Sequence, residues 1–394
     1  MSSIHRFDCA TTVLHGGGAR HQVGQLAKEL GGRRVLIVTD PGVIKLGYAE
    51  AIIASLRQAG LTAEIYADVQ PDPTKQNVLD GFEVLKANGC DLIVALGGGS
   101  PIDTAKVISV LPANPGDIST FAGLHKIPHA GVPLIAIPTT AGTGSELTKV
   151  AVITDTDRDV KMMMLSAPLQ PRAALQDFEL TMSMPPALTA AVGVDTFTHG
   201  LEAYVSRKAN AMSDPLALSC IRLVGQYLRR AYADPDDREA RAAMMVASGQ
   251  GGMAFSNSSV CLVHGMSRPI GAVFHVPHGL SNAMLLPAVT RFSVDGAPRR
   301  YAEVARVLGI AERAHSDTRA CEALCAWLDA LNDDLKIMRL SEWAGASAEK
   351  FEQLKAKMAQ DALDSGSPAN NPKVPTVGEI VGIYERVWSG VRAG

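Results

Sequence analysis

The stretch Asp91-Leu-Ile-Val-Ala-Leu96, continued by Gly97-Gly98-Gly99-Ser100-Pro101-Ile-Asp103, decides the fold. An unbroken apolar run of this length suits a strand covered on both faces. Three glycines then turn the chain, and a helix is predicted from about Pro101. The same alternation extends outward on both sides. Val35-Leu-Ile-Val-Thr-Asp40 reads as a strand and Val43 to Leu56 as a helix. Leu61 to Tyr66 is a second strand, Thr74 to Asn88 a second helix, and Pro133 to Pro138 a further strand. Strands alternating with helices imply parallel βαβ units and a doubly wound α/β sheet.

The pattern changes beyond Lys149. Val150 to Thr154 and Val160 to Leu165 flank the turn-rich Asp155-Thr-Asp-Arg-Asp159, which predicts a β-hairpin. A last strand is expected over Ala173 to Gln176. After Met184-Pro185-Pro186 the texture is helical, with Pro186 placed to open a helix. Two domains are therefore expected, an α/β domain over residues 1–183 and an all-helical domain over 184–394. Gly366 to Pro372 reads as a loop.

Apolar residues make up 47% and charged residues 20%, so both halves can bury a core. A formal charge of −3 gives no reason to expect a nucleic acid or an acidic membrane as partner. No apolar run is long enough to span a bilayer. Met1-Ser-Ser-Ile-His-Arg-Phe-Asp8 lacks the apolar core of a signal peptide. The six cysteines are scattered without a CxxC pair, as in a reduced, cytoplasmic chain.

Two constellations carry chemistry. The first lies at strand ends. Gly97, Gly98, Gly99 and Ser100 precede a helix N-terminus, whose free N–H groups and positive dipole end suit a pyrophosphate. Asp103 follows on the same helix. Thr139-Thr140-Ala-Gly-Thr143-Gly-Ser145-Glu146 forms a second, hydroxyl-rich loop after another strand. Open α/β sheets bind ligands at such carboxyl ends. Asp40 ends the Val35 strand, where its carboxylate can accept from a ribose diol and repel a 2′-phosphate. A tight strand–helix turn, and a helix N-cap at Asp40, would use the same residues.

The second constellation is Asp195 and His199, whose i,i+4 spacing puts both on one helical face, together with His264 and His278. One carboxylate and three imidazoles suit Fe²⁺ or Zn²⁺, and also Mn²⁺, Co²⁺ or Ni²⁺. Taken singly, each is equally a helical surface residue or a satisfied core histidine.

Taken together, Gly97-Gly-Gly-Ser-Pro-Ile-Asp103, Pro138 to Glu146, Met184-Pro-Pro through Asp195-x-x-x-His199-x-x-Glu202, and Val263-His264 through Pro277-His278-Gly279 resemble the iron-containing (group III) alcohol dehydrogenases. Pro71 to Thr74 and Asn370-Asn-Pro372 extend the resemblance over nearly the whole chain. It implies an N-terminal dinucleotide-binding domain and an all-α metal-binding domain in the dehydroquinate synthase-like architecture, with the active site between them. It places Fe²⁺ or another divalent metal on Asp195, His199, His264 and His278. It places NAD against Asp40, Gly97 to Ser100, Asp103, Thr139, Thr140, Thr143 and Lys161. Lys161 could bond ribose hydroxyls, and is equally a solvated hairpin lysine. A homodimer or larger homo-oligomer is expected of the same resemblance.

The chain departs from the family where many members carry a second histidine four residues after His264. Here that residue is Arg268, followed by Pro269, which disfavours helical geometry at Arg268. A guanidinium in the cleft would favour an acidic substrate; an internal salt bridge or a cofactor-phosphate contact would occupy it equally well. His275, three residues before His278, is the candidate proton relay, because imidazoles exchange protons near neutral pH. The expected catalytic set is therefore His264, Arg268 and His275, acting on a small primary alcohol or its aldehyde. Two other functions use a similar frame: a lyase of the dehydroquinate synthase type that uses bound NAD transiently, and a non-catalytic metabolite-binding protein.

Overall fold

The computed structural model describes residues 6–9, 12–158 and 160–390. The N-terminal reading over Met1 to Asp8 and the hairpin residue Asp159 therefore lie partly or wholly outside the described residues. The described chain forms two compact units, one of residues 7–183 and one of residue 6 with residues 184–390.

The first unit is built on six parallel strands. They are β1 (Thr12–His15), β2 (Arg34–Val38), β3 (Thr62–Tyr66), β4 (Leu92–Gly97), β6 (Leu134–Pro138) and β9 (Ala173–Gln176), ordered β1-β9-β6-β4-β2-β3. A smaller sheet holds β5 (Gly123–Leu124), β7 (Val150–Asp155) and β8 (Val160–Leu165), in which β7 and β8 form the antiparallel hairpin. β4, β6 and β9 are buried at every position, which is why their sequences are apolar without alternation. The two edge strands, β1 and β3, are less covered, and β1 is the harder to read. Its side chains alternate between half-buried and exposed, and its four residues give no apolar run to read.

Helices α1 (Val23–Glu29), α2 (Pro41–Lys45), α3 (Tyr48–Gln58), α4 (Lys75–Ala87) and α5 (Gly99–Val110) connect the strands. The single helix expected over Val43 to Leu56 is two. Gly47 stands between them at φ +73°, a left-handed conformation that ends α2 and starts α3. Thr74 and Asn77 cap α4 reciprocally. α5 starts at Gly99, two residues before the expected Pro101.

From β2 the chain steps to β3 on one side and then back to β4 on the other. The switch point lies between β2 and β4, where strand ends diverge and leave room for a ligand.

Within α5, Lys106 is fully buried. Its ammonium donates to Ser145 Oγ (2.7 Å), Thr148 Oγ1 (2.9 Å) and the Val150 carbonyl (2.6 Å), and lies 3.7 Å from Asp103. Burial pulls its pKa down to about 8, against the attraction of Asp103 and Glu146. These bonds tie α5 to the loop after β6.

The second unit is helical: α6 (Pro186–Val205), α7 (Asp214–Ala233), α8 (Arg238–Asn257), α9 (Leu262–Phe274), α10 (His278–Ser293), α11 (Pro298–Val307), α12 (Asp317–Asp334), α13 (Ala348–Asp364) and α14 (Val377–Ser389). α6 is the central helix. It packs against α7, α8, α10 and α11, and beyond its first turn almost every residue is buried. Buried Arg241 of α8 fixes its start, donating to Thr189 Oγ1 (2.8 Å) and the Met184 carbonyl (3.3 Å). α9 runs through Pro269 rather than ending before it. Its packing against α10 and α13, and the Tyr384 hydroxyl donated to the Met266 carbonyl (2.8 Å), outweigh the local penalty of proline. Inside the loop expected over Gly366 to Pro372, Pro368–Asn370 makes one 3₁₀ turn.

Candidate active site

α6 carries Asp195, His199 and Glu202 on one stripe of an otherwise apolar helix. His264 comes from the first turn of α9, and His278 is the first residue of α10. Asp195, His199 and His264 are buried, with donor atoms all within 4.8 Å of one another. His278 joins this cluster through Asp195 from the only accessible position of the four, its side chain 44% exposed.

The distances converge on one oxygen. Asp195 Oδ1 lies 3.8 Å from His199 Nε2, 3.6 Å from His264 Nε2 and 3.9 Å from His278 Nε2. Hydrogen bonds are shorter. A tetrahedral cation with bonds of about 2.0–2.2 Å has donor–donor edges of about 3.3–3.6 Å, close to this spacing. The donor set and its spacing therefore fit a divalent metal.

The surroundings point the same way. Glu202 is buried and accepts from three donors: the backbone N–H of Cys261 (2.7 Å), the backbone N–H of Val263 (2.6 Å) and His264 Nδ1 (2.7 Å). That bond places the proton of His264 on Nδ1 and turns the Nε2 lone pair toward Asp195. Phe255 stacks on the His199 ring at 4.5 Å, and His199 stacks on His264 at 4.7 Å. Burial raises the Asp195 carboxyl pKa, but His199, His278 and His264 outweigh it and hold the group well below the usual carboxylate range. Burial lowers His264, yet Glu202 and Asp195 lift it to about 9. A field that favours a proton on a buried imidazole also favours a metal cation there.

The other expected catalytic residues sit nearby in the chain but differ in setting. Arg268 follows His264 by one turn of α9 and is half-buried. Desolvation lowers its pKa against the attraction of Glu202. His275 is exposed and caps α9 in a left-handed conformation at φ +56°. Two polar contributors were not assigned a role from sequence. Glu202 stood in the motif as a spacing only. Asn282, one turn after His278, donates to Asp195 Oδ1 at 2.6 Å; its i+4 spacing from His278 was the available signal.

In the first unit, the expected cofactor residues gather at the carboxyl ends of three adjacent strands. Asp40 follows β2, Gly97 ends β4 in register with Pro138, Gly98 to Ser100 lead into α5, and Thr139 to Thr143 follow β6. Gly97 adopts φ +153°, and a Cβ there would meet Pro101 at 2.6 Å and Asp40 Oδ2 at 3.3 Å. Only glycine makes this turn, and the turn brings Asp40 beside it. Thr140 and Thr143 close over Gly98 and Gly99. Asp40 also caps α2, its Oδ1 accepting from the Val43 N–H at 3.0 Å. Asp103 uses both oxygens internally, accepting from Ser145 Oγ (2.6 Å) and the Val152 N–H (2.9 Å). Lys161 pairs with Asp72 Oδ1 at 2.5 Å.

Comparison with known proteins covers both units. Residues 10–178 match the family described as iron-containing alcohol dehydrogenase, and residues 189–388 match the C-terminal region of the Fe-containing alcohol dehydrogenase family. The chain is 37% identical over 370 residues to the NAD-dependent methanol dehydrogenase of Bacillus methanolicus, covering 94% of this chain and 96% of that one. It is 37% identical over 379 residues to lactaldehyde reductase of Escherichia coli (strain K12), covering 96% and 98%. A crystal structure of 1,3-propanediol oxidoreductase superposes with a TM-score of 0.94 at 35% identity, covering 98% of this chain and 100% of that one. The family's cofactors, NAD and iron or another divalent metal, agree with a cluster of one carboxylate and imidazoles beside Glu202. On matches that span both units, the chain is an NAD-dependent alcohol dehydrogenase and belongs to the iron-containing alcohol dehydrogenase family.

Proposed function

We propose that this enzyme interconverts a small, neutral primary alcohol and its aldehyde, with Asp195, His199, His264 and His278 as the four metal ligands. The observation that carries the reading is the approach of one buried carboxylate oxygen to three imidazole nitrogens at 3.6–3.9 Å. When bound, the cation supplies Lewis acidity to the substrate oxygen and NAD supplies the hydride acceptor. The chain's own residues hold and orient these groups. Glu202 keeps the His264 Nε2 lone pair aimed at the site. The Gly97 turn and the α5 N-terminus receive the pyrophosphate, with Thr139, Thr140 and Thr143 lining it. Asp40 accepts from the adenosine ribose through Oδ2 while Oδ1 caps α2. Asp103, anchored by its bonds to Ser145 and to Val152 of β7, lies against the cofactor. Lys161 reaches ribose from the hairpin, exchanging its exposed pair with Asp72 for that contact.

His275, exposed three residues before His278, takes up and releases the alcohol proton. Arg268 is assigned to balancing the buried charge of Glu202 rather than to an acidic substrate. The named relatives with neutral substrates, methanol dehydrogenase and lactaldehyde reductase, support that choice. A cytoplasmic homodimer or larger homo-oligomer completes the reading.

Removal of the metal with a chelator is expected to abolish NAD-linked turnover, and Fe²⁺ or Zn²⁺ to restore it; full activity of a metal-free preparation would end the four-ligand mechanism. Asp40→Gly should lower the ratio of kcat/KM with NAD to that with NADP by about tenfold or more, the effect of one like-charge contact of about 1.4 kcal/mol. An unchanged ratio removes Asp40 from cofactor selection. In His275→Ala, the pH–rate profile for alcohol oxidation should change, and a wild-type profile excludes the relay. Among aldehydes of equal length, neutral ones should be preferred before and after Arg268→His. A preference for acidic aldehydes that this substitution abolishes would reassign Arg268 to substrate binding.

A further inference from the structure

Three of the four proposed ligands are held by the body of the helical unit. Asp195 and His199 are buried on α6, His199 lies against Phe255, and His264 is fixed by Glu202. His278 differs. It opens α10, directly after the left-handed turn at His275, and its side chain is 44% exposed. Its ring meets the cluster at His264, with centroids 5.3 Å apart, and at Asn282.

Asn282 stands one turn further along α10, on the same face as His278, and is fully buried. Its Nδ2 donates to Asp195 Oδ1 at 2.6 Å and lies 3.2 Å from His278 Nε2 and 3.3 Å from His264 Nε2. The Asp195 carboxylate oxygen can only accept, so the amino edge of the amide faces it. The opposite edge, Oδ1, is buried with no hydrogen-bond partner among the described residues. An apolar side chain of similar shape would fill this space without leaving a buried carbonyl unmatched. Packing alone therefore does not account for an amide at this position.

We infer that Asn282 is a positioning residue of the metal centre. By bonding Asp195, it ties the first turn of α10 to α6 and so fixes His278 relative to the shared carboxylate. This rests on the four-ligand reading above. Asn282 itself is assigned no step in hydride transfer.

The test uses Co²⁺ as probe on the full-length chain, read by its visible d–d bands and by equilibrium binding. Asn282→Leu should keep the wild-type circular dichroism, bind Co²⁺ at least tenfold more weakly, and shift the bands. In a His278→Ala background, adding Asn282→Leu should cost less than a further threefold, because the residue it positions is already gone. Wild-type bands with affinity within twofold, or a fully additive double variant, would overturn the inference. If Asn282→Leu does not fold, Asn282→Ala removes the donor without adding a charge or a metal ligand beside Asp195. Shifted bands are then expected, and wild-type bands overturn the inference. A wild-type chain that binds no Co²⁺ would refute the four-ligand reading itself, whereas normal binding with an indifferent Asn282→Leu would refute this inference alone.

Discussion

The helical unit depends on one carboxylate oxygen. Asp195 sits inside α6, a helix buried on nearly all sides, and its Oδ1 is shared by three imidazole nitrogens and one amide. A charge taken out of water costs several kcal/mol unless it is paired and hydrogen-bonded. Around Asp195 that requirement is met by residues from three helices. α6 supplies His199, α9 supplies His264, and α10 supplies His278 and Asn282. The elements that build the core of this unit are thus the same ones that present the proposed ligands. A site mounted on packed helices is held to tighter tolerance than one carried on loops.

Glu202 extends the same logic outward. It accepts from the N–H groups that open α9 and from His264 Nδ1, so one carboxylate both caps a helix and selects a tautomer. Two buried acids, Asp195 and Glu202, leave a field that favours positive charge, and Arg268 answers part of it. The α/β unit solves a comparable problem with different groups. There Lys106 is the buried ion, and Asp103, Ser145, Thr148 and the Val150 carbonyl satisfy it. The result is a stiff support beneath the glycine turn and the threonine loop.

Much of this was legible in the amino-acid order. The buried parallel strands announce themselves because both faces are covered and their apolar runs are unbroken, as in Leu92 to Leu96. The helical texture after Pro186 was equally clear. Other features depended on tertiary context. β1 is a short edge strand with alternating exposure, and nothing in Thr12 to His15 separates it from a loop. The break between α2 and α3 rests on the left-handed Gly47, a residue a helix tolerates in sequence terms. The proline rule points away from a helix at Arg268, whereas packing carries α9 past Pro269. In the site, Asp195 and His199 share a face by spacing alone, but the approach of His264 and His278 belongs to the helix packing. Asp103 reads as a ligand residue in a glycine motif, and its bonds to Ser145 and Val152 come only from the fold. Asn282 has no motif of its own; its spacing from His278 puts it on the same face, but its bond to Asp195 belongs to the helix packing.

The most direct measurement of the central claim is anomalous diffraction from crystals of the Zn²⁺-loaded enzyme, recorded on both sides of the metal absorption edge. A single peak about 2.0–2.2 Å from Asp195, His199, His264 and His278 is the predicted result. A peak elsewhere, or a cation that leaves any of these side chains outside bonding distance, would contradict it.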